Sequence, residues 1–211
     1  MGRFFSESNP FFSFMGLVFD LVMMNLIWLV CCIPVITFGA STTALYTVML
    51  RRAKNEEGYM VRGFFSAFKS NFKQTVPLTL IYILAAAVLV SDMIIIRNWE
   101  GTFGSFMFGF CMVAIMVAQG VFSYVWPLQA KFENTVKGTL ANAGRIAIVK
   151  LPRTAILVVL HVVPWFIFLF VPTVFVALTM FWILGVGSVT AYVSSKLINP
   201  IFDELMNSGE E

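Results

Sequence analysis

Apolar residues in this chain come in long runs separated by short polar stretches. The runs at 17–38, 76–96, 103–126, 154–175 and 176–195 each approach or exceed the ~20 residues that an α-helix needs to cross a hydrocarbon core roughly 30 Å thick. The first, Leu17 to Phe38, reaches about 33 Å at the helical rise, with Pro34 freeing a backbone carbonyl near its far end. A shorter sixth segment, 39–53, opens on Gly39, Ala40, Ser41, Thr42, Thr43 and Ala44. Small residues let helix backbones approach closely in lipid. This segment therefore reads as a tight turn and a returning helix packed on the first span, with a re-entrant loop as the alternative.

The polar stretches have a pattern of their own. Between Arg51 and Gln74 the charges are Arg51, Arg52, Lys54, Glu56, Glu57, Arg62, Lys69 and Lys73, while Val61, Phe64, Phe65, Phe68 and Phe72 recur at helical spacing. A basic face opposite a Phe face predicts a helix lying in the membrane interface, or one docked in a partner's groove. Lys131 to Arg153 is a second basic, helix-compatible stretch, with Lys131, Lys137, Arg145, Lys150 and Arg153 against the one acid Glu133. Arg97-Asn-Trp-Glu-Gly101 reads as a polar turn with an interfacial Trp. Each basic helix meets a proline, Pro77 or Pro152, that opens the next hairpin, a faint internal echo of the parallel repeats seen in some transporters. At the N-terminus, Ser8 or Asn9 is placed to cap a helix with Pro10 in its first turn, and the final hairpin is expected to break near Pro172 and loosen at Gly185 and Gly187.

Composition agrees with lipid as the main solvent. Of 211 residues 59% are apolar and 12% charged, against about 45–50% and 25% in soluble domains; the mean hydropathy is +0.88. The formal charge of +3 matters less than its placement. With both termini and both basic loops in the cytoplasm, 13 of the 14 Lys and Arg lie inside and only Arg97 outside, as the positive-inside rule requires. The expected fold class is all-α: a polytopic transmembrane bundle of about six hydrophobic segments, with cytoplasmic basic amphipathic helices, in a single integral membrane domain covering 1–211. The 17–38 run is longer than a signal-peptide core and is read as an uncleaved span, and the Met-Gly-x-x-x-Ser start as a short interfacial segment, not a myristoylation signal.

Candidate chemistry is sparse. Cys31, Cys32 and Cys111 are odd in number, lie in apolar runs and lack metal-ligand spacing, so neither a disulfide framework nor a zinc site is expected. Polar side chains within spans are costly and usually face a bundle interior or a wet cavity. Here they are Asp20, Asn25, Asp92, Gln119 and His161. Asp20 and Asp92 lie near span ends and are read as reaching the interface, Asn25 and Gln119 as bonding across helices, and His161 as a structural histidine. No nucleophile elbow, zinc-protease motif, Walker loop or dinucleotide fingerprint is present. The expectation is therefore no enzyme, no cofactor, no metal and no nucleic-acid partner.

Specific residues carry a family likeness. The run Met24-Asn-Leu-Ile-Trp-Leu-Val-Cys-Cys-Ile-Pro34 with Thr37 and Gly39, then Ala44-Leu-Tyr46, the helix Phe64 to Gln74, and Thr139-Leu-Ala-Asn142-Ala143 with Leu151-Pro152 resemble the YesL-like family of uncharacterised bacterial membrane proteins. That resemblance implies a multi-pass protein of the bacterial cell membrane and, by the company its genes keep, association with carbohydrate ABC importers. It assigns no residue a role. ABC permeases carry a cytoplasmic loop with a Glu-Ala-Ala start, a Gly and a later Leu-Pro; Glu133, Gly138 and Leu151-Pro152 echo it, but Asn134-Thr135 replaces the Ala-Ala and Gly138 falls one place early. The expected function is a non-catalytic accessory component of a carbohydrate ABC import system, with an autonomous small-solute transporter as the rival. The expected cytoplasmic interface, toward permease or ATPase subunits, is Arg62, Phe65, Phe68, Lys69, Phe72, Lys73, Glu133, Gly138 and Pro152.

Overall fold

The computed structural model describes residues 10–56, 58–170 and 179–207. The helices are α1 (Pro10–Cys32), α2 (Phe38–Ala53), α3 (Met60–Ile96), α4 (Gly101–Lys131), α5 (Val136–Val149), α6 (Leu151–Phe170) and α7 (Gly187–Asn207), with a 3-10 turn at Val35–Thr37 and a π-helical turn at Trp182–Val186 running directly into α7. There is no strand among the described residues. The expected N-terminal cap at Ser8 or Asn9 and the break near Pro172 lie outside them.

Four stretches are long and apolar enough to cross a membrane: Phe11–Cys32, Met60–Ile96, Gly101–Lys131 and Thr179–Asn207. The pair α5 and α6, bent by 108°, makes a fifth if it is a single broken span. Side chains such as Phe19, Leu84, Phe106, Phe110 and Met180 are each about two-thirds exposed. So much bare hydrocarbon is untenable in water and ordinary in lipid.

Several boundaries differ from the sequence expectation. The first span ends at Cys32, before Pro34, because the following 3-10 turn takes over: the Thr37 hydroxyl donates to the carbonyls of Cys31 and Pro34. The helix after it, α2, is short and buried at eleven positions from Gly39 to Leu50. It lies at the centre of the bundle and packs most extensively on α3, then α7 and α4, and less on α1. The close approach is visible at Gly39, whose N–H donates to Thr79 Oγ1 at 3.1 Å; a Cβ there would overlap that hydroxyl and come within 2.7 Å of the Trp126 ring.

The expected surface helix at 51–74 is corrected. Arg51 to Ala53 end α2, and the basic Phe-rich stretch from Met60 is the first half of α3, continuous with the span that follows. Pro77 sits inside α3 without ending it. Hydroxyls shore up the helix around it, Thr75 donating to the Asn71 and Phe72 carbonyls and Thr79 to that of Thr75, the usual remedy for proline within a membrane helix. At 37 residues, α3 is about 55 Å long and overshoots the hydrocarbon core. So does α4. The last helix likewise runs past the expected end at 195, to Asn207.

The overshooting ends assemble into a cap. Gln129 of α4, 3% exposed, accepts from the Thr139 hydroxyl of α5 at 3.0 Å and reaches Asn71 of α3 at 3.5 Å. Phe132 meets Phe202 edge-on at 5.2 Å. The sharp bend into α6 is held by Thr154, which donates to the Ala147 and Lys150 carbonyls and pairs with the Tyr124 hydroxyl. The final turns of α7 then tie both basic stretches together, Asp203 pairing with Lys54 and Glu204 with Lys150 at 2.8 Å.

Candidate functional site

Breaks in the helices, not the helices themselves, build the most distinctive site. Where α1 gives way to α2, Ser41 donates to the Trp28 carbonyl at 3.1 Å and the Trp28 indole N–H donates to Thr42 Oγ1 at 3.2 Å, stitching the hairpin. At the other break, the π-helical turn displaces backbone groups from their usual partners. Asn25, fully buried, supplies them: its amide nitrogen donates to the carbonyls of Trp182 (3.0 Å) and Ile183 (2.7 Å), and its oxygen accepts from Ser188 N–H at 2.9 Å. The expectation that Asn25 bonds across helices holds. Gly187 permits the contact, since a Cβ would lie 2.6 Å from Trp28 and 2.9 Å from Asn25 Oδ1.

Between these breaks lies a cavity of about 260 Å³, room for on the order of eight or nine water molecules. One wall is aromatic. Phe38 stacks on Tyr82 at 5.9 Å and meets Trp126 edge-on, and Tyr82 contacts Phe122 at 4.8 Å; Trp28 and Trp182 face the same space. Among the described residues the lining contains no Asp, Glu, Lys or Arg.

Beyond that wall, its polar groups come from four helices: α2 (Thr42, Tyr46), α4 (Gln119, Ser123), α6 (His161) and α7 (Thr190). His161 Nδ1 lies 2.7 Å from the Leu157 carbonyl, which can only accept, so Nδ1 carries a hydrogen, and Nε2 lies within hydrogen-bond distance of the Tyr46 hydroxyl at 3.2 Å. The buried Ser194 hydroxyl lies beside the Tyr46 phenol without a well-formed hydrogen bond. Ser123 is occupied, donating to the Gln119 carbonyl at 2.8 Å. The side-chain amide of Gln119 lines the cavity and, among the described residues, has no hydrogen-bond partner.

The structure thus brings Gln119 and His161 together and leaves the other sequence candidates apart. Asp20 is half-buried and paired with Arg52 at 3.1 Å. Asp92 is exposed. Of the expected cytoplasmic interface, Arg62, Phe65, Lys69, Lys73, Glu133 and Pro152 are exposed, while Phe68, Phe72 and Gly138 are half-buried. The Phe face is divided: Phe64 is fully buried and Phe68 stacks on it. Sequence reasoning assigned no site role to Tyr46, Tyr82, Trp126, Gln129, Asp203 or Glu204. No group of three His, Cys, Asp or Glu among the described residues could hold a metal ion.

Residues 21–93 match a family described as Protein of unknown function, DUF624. The match takes in the Met24 to Pro34 run, Ala44 to Tyr46 and the Phe64 to Gln74 stretch, and is consistent with the likeness those residues suggest. It stops short of the second basic loop and of most of the cavity's other wall. No curated protein matches the chain. No solved structure does either.

Proposed function

We propose that this is a non-catalytic multi-pass protein of the bacterial cell membrane, of the YesL-like kind, that serves as an accessory component of a carbohydrate ABC import system and holds a small uncharged solute in its central cavity. The observation that carries the reading is a cavity walled by aromatic rings whose lining also holds Gln119, half-buried and without a hydrogen-bond partner among the described residues. The Gln119 amide can both donate to and accept from a hydroxyl-bearing solute. The surrounding rings offer flat apolar faces for the C–H faces of a sugar, with Thr42 and the Tyr46–His161 pair as further polar contacts. A lining without charge favours a neutral occupant over an ionic one.

On this reading α2 is a short second crossing, which brings the hydrophobic segments to six. The end carrying Lys54, Lys150, Asp203 and Glu204 is cytoplasmic, as are both termini, and the opposite turn with Arg97 and Trp99 is external. Arg62, Phe65, Lys69, Lys73 and Glu133 are then exposed on the cytoplasmic cap, where permease or ATPase subunits are within reach. Affinity purification from the native host in mild detergent, followed by mass spectrometry, tests the association. Stoichiometric permease and ATPase subunits support it; recovery of the protein alone defeats it.

The second reading, an autonomous small-solute transporter, is favoured by one feature. The cavity abuts a π-helical discontinuity in the last span, and interrupted helices beside a midplane site are common in transporters. Purified protein in liposomes would then move a solute unaided. No flux above empty liposomes across a broad panel of neutral and ionic solutes removes this reading.

A further inference from the structure

A second concave site lies at the basic end, away from the aromatic cavity. It is a groove of about 880 Å³ between α1, the end of α2, the connecting residues and the first turn of α3. The local chain explains its shape. Asn55 adopts a left-handed conformation at φ 57°, one of the few residue types that does so readily. The reversal lets both Lys54 N–H and Glu56 N–H reach the Arg51 carbonyl, turning Glu56 back over α2.

Three guanidinium groups line this groove: Arg51, Arg52 and Arg62. Two acids partly balance them, and both take the Nε side. Arg52 Nε meets Asp20 at 3.1 Å and Arg51 Nε meets Glu56 at 3.4 Å. That leaves the terminal nitrogens of each fork, the pair that binds a phosphate with two parallel hydrogen bonds. Arg62 is exposed and makes no ion pair among the described residues. Three cations against two carboxylates leave one net positive charge among these five side chains. Beneath them the floor is apolar, formed by Met23, Val48 and Met60.

We propose that this groove binds a phosphate group, with the apolar floor favouring one carried by an anionic membrane phospholipid. Basic pockets between spans at a membrane surface are suited to such headgroups. The carboxylates of Asp20 and Glu56 orient the guanidinium planes, and Arg62 supplies charge that no acid among the described residues pairs with.

The test uses the full chain in a maltoside detergent, titrated with short-chain phosphatidylglycerol, short-chain phosphatidylcholine and inorganic phosphate, and read by native mass spectrometry and thermal stability. Phosphatidylglycerol should bind in preference to phosphatidylcholine. Arg62→Gln should weaken it about fivefold, the usual worth of one basic side chain near a charged surface. Arg51→Gln should do the same, while Arg97→Gln, in the turn at the far end of α3, should leave binding unchanged. Because Arg62 is exposed and has no ion-pair partner among the described residues, its variant should melt like the parent without lipid, which separates lost binding from lost folding. Arginine-dependent binding of inorganic phosphate with no advantage for the lipid keeps the site and assigns it to a free phosphate. Equal binding of both lipids, unaltered by Arg51→Gln and Arg62→Gln, overturns the proposal.

Discussion

Replacing Asn25 with Leu removes three hydrogen bonds while keeping the branching and heavy-atom count of the side chain, so its effect reports on the polar clamp on the π-helical turn. In the native protein one amide serves the Trp182 and Ile183 carbonyls and the Ser188 N–H. Interhelical hydrogen bonds in membranes average about 0.6 kcal/mol, somewhat below the ~1 kcal/mol typical of soluble proteins. Three of them give about 2–3 kcal/mol. The sum is not offset by relieved desolvation, because the two carbonyls and the N–H stay behind. At roughly 2–4 °C per kcal/mol for a chain of this size, Asn25→Leu should lower the melting temperature in detergent by about 4–12 °C. Asp92→Asn, at an exposed position, is the control and should not move it. A shift within about 2 °C for Asn25→Leu, the range of neutral surface changes, would refute the claim that this amide holds α1 to the last span.

Other consequences follow from the same packing. Gly39→Ala should prevent stable accumulation or cost several °C, because its Cβ collides with Thr79 and Trp126; detergent extraction yield and melting temperature report it. A double-mutant cycle on Lys150 and Glu204 should return less than about 1 kcal/mol and shrink with salt, since the pair is solvent-accessible. Gln119→Leu, at a side chain with no partner to lose, should leave thermal stability unchanged or raised while abolishing solute binding. With the three native cysteines replaced, Asn98→Cys should react with an impermeant maleimide on intact cells and Asn55→Cys only after permeabilisation; the reverse pattern would invert the proposed orientation.

Hydropathy made the spans legible because lipid leaves an unmistakable apolar run, but it reports a change of solvent, not the end of a helix. That is why α3 was divided at Pro77: the chain there passes from a protein cap into lipid without interrupting its backbone, and Thr75 and Thr79 reinforce the helix around the proline. The same blindness shortened the last helix, whose final turns bury Ile198, Ile201 and Phe202 in the cap. Polar residues in spans were the better guide to the interior. Asn25, Gln119 and His161 were all visible as anomalies, and two of the three line the cavity. Their partners were not visible, because Tyr46 and Trp126 look like any span aromatic until tertiary packing brings α2 to the bundle centre. Asp20 shows the opposite case: near a span end it suggested exposure, yet it pairs with Arg52 across the α1–α2 hairpin.

A solute bound in the aromatic cavity is the central claim. Titrating the protein in lipid nanodiscs with neutral monosaccharides and polyols, and following tryptophan fluorescence, tests this directly because Trp28, Trp126 and Trp182 all line it. The account predicts a saturable change for at least one hydroxyl-rich solute, lost in Gln119→Leu. No saturable response to any of them, or one that Gln119→Leu leaves intact, would contradict it.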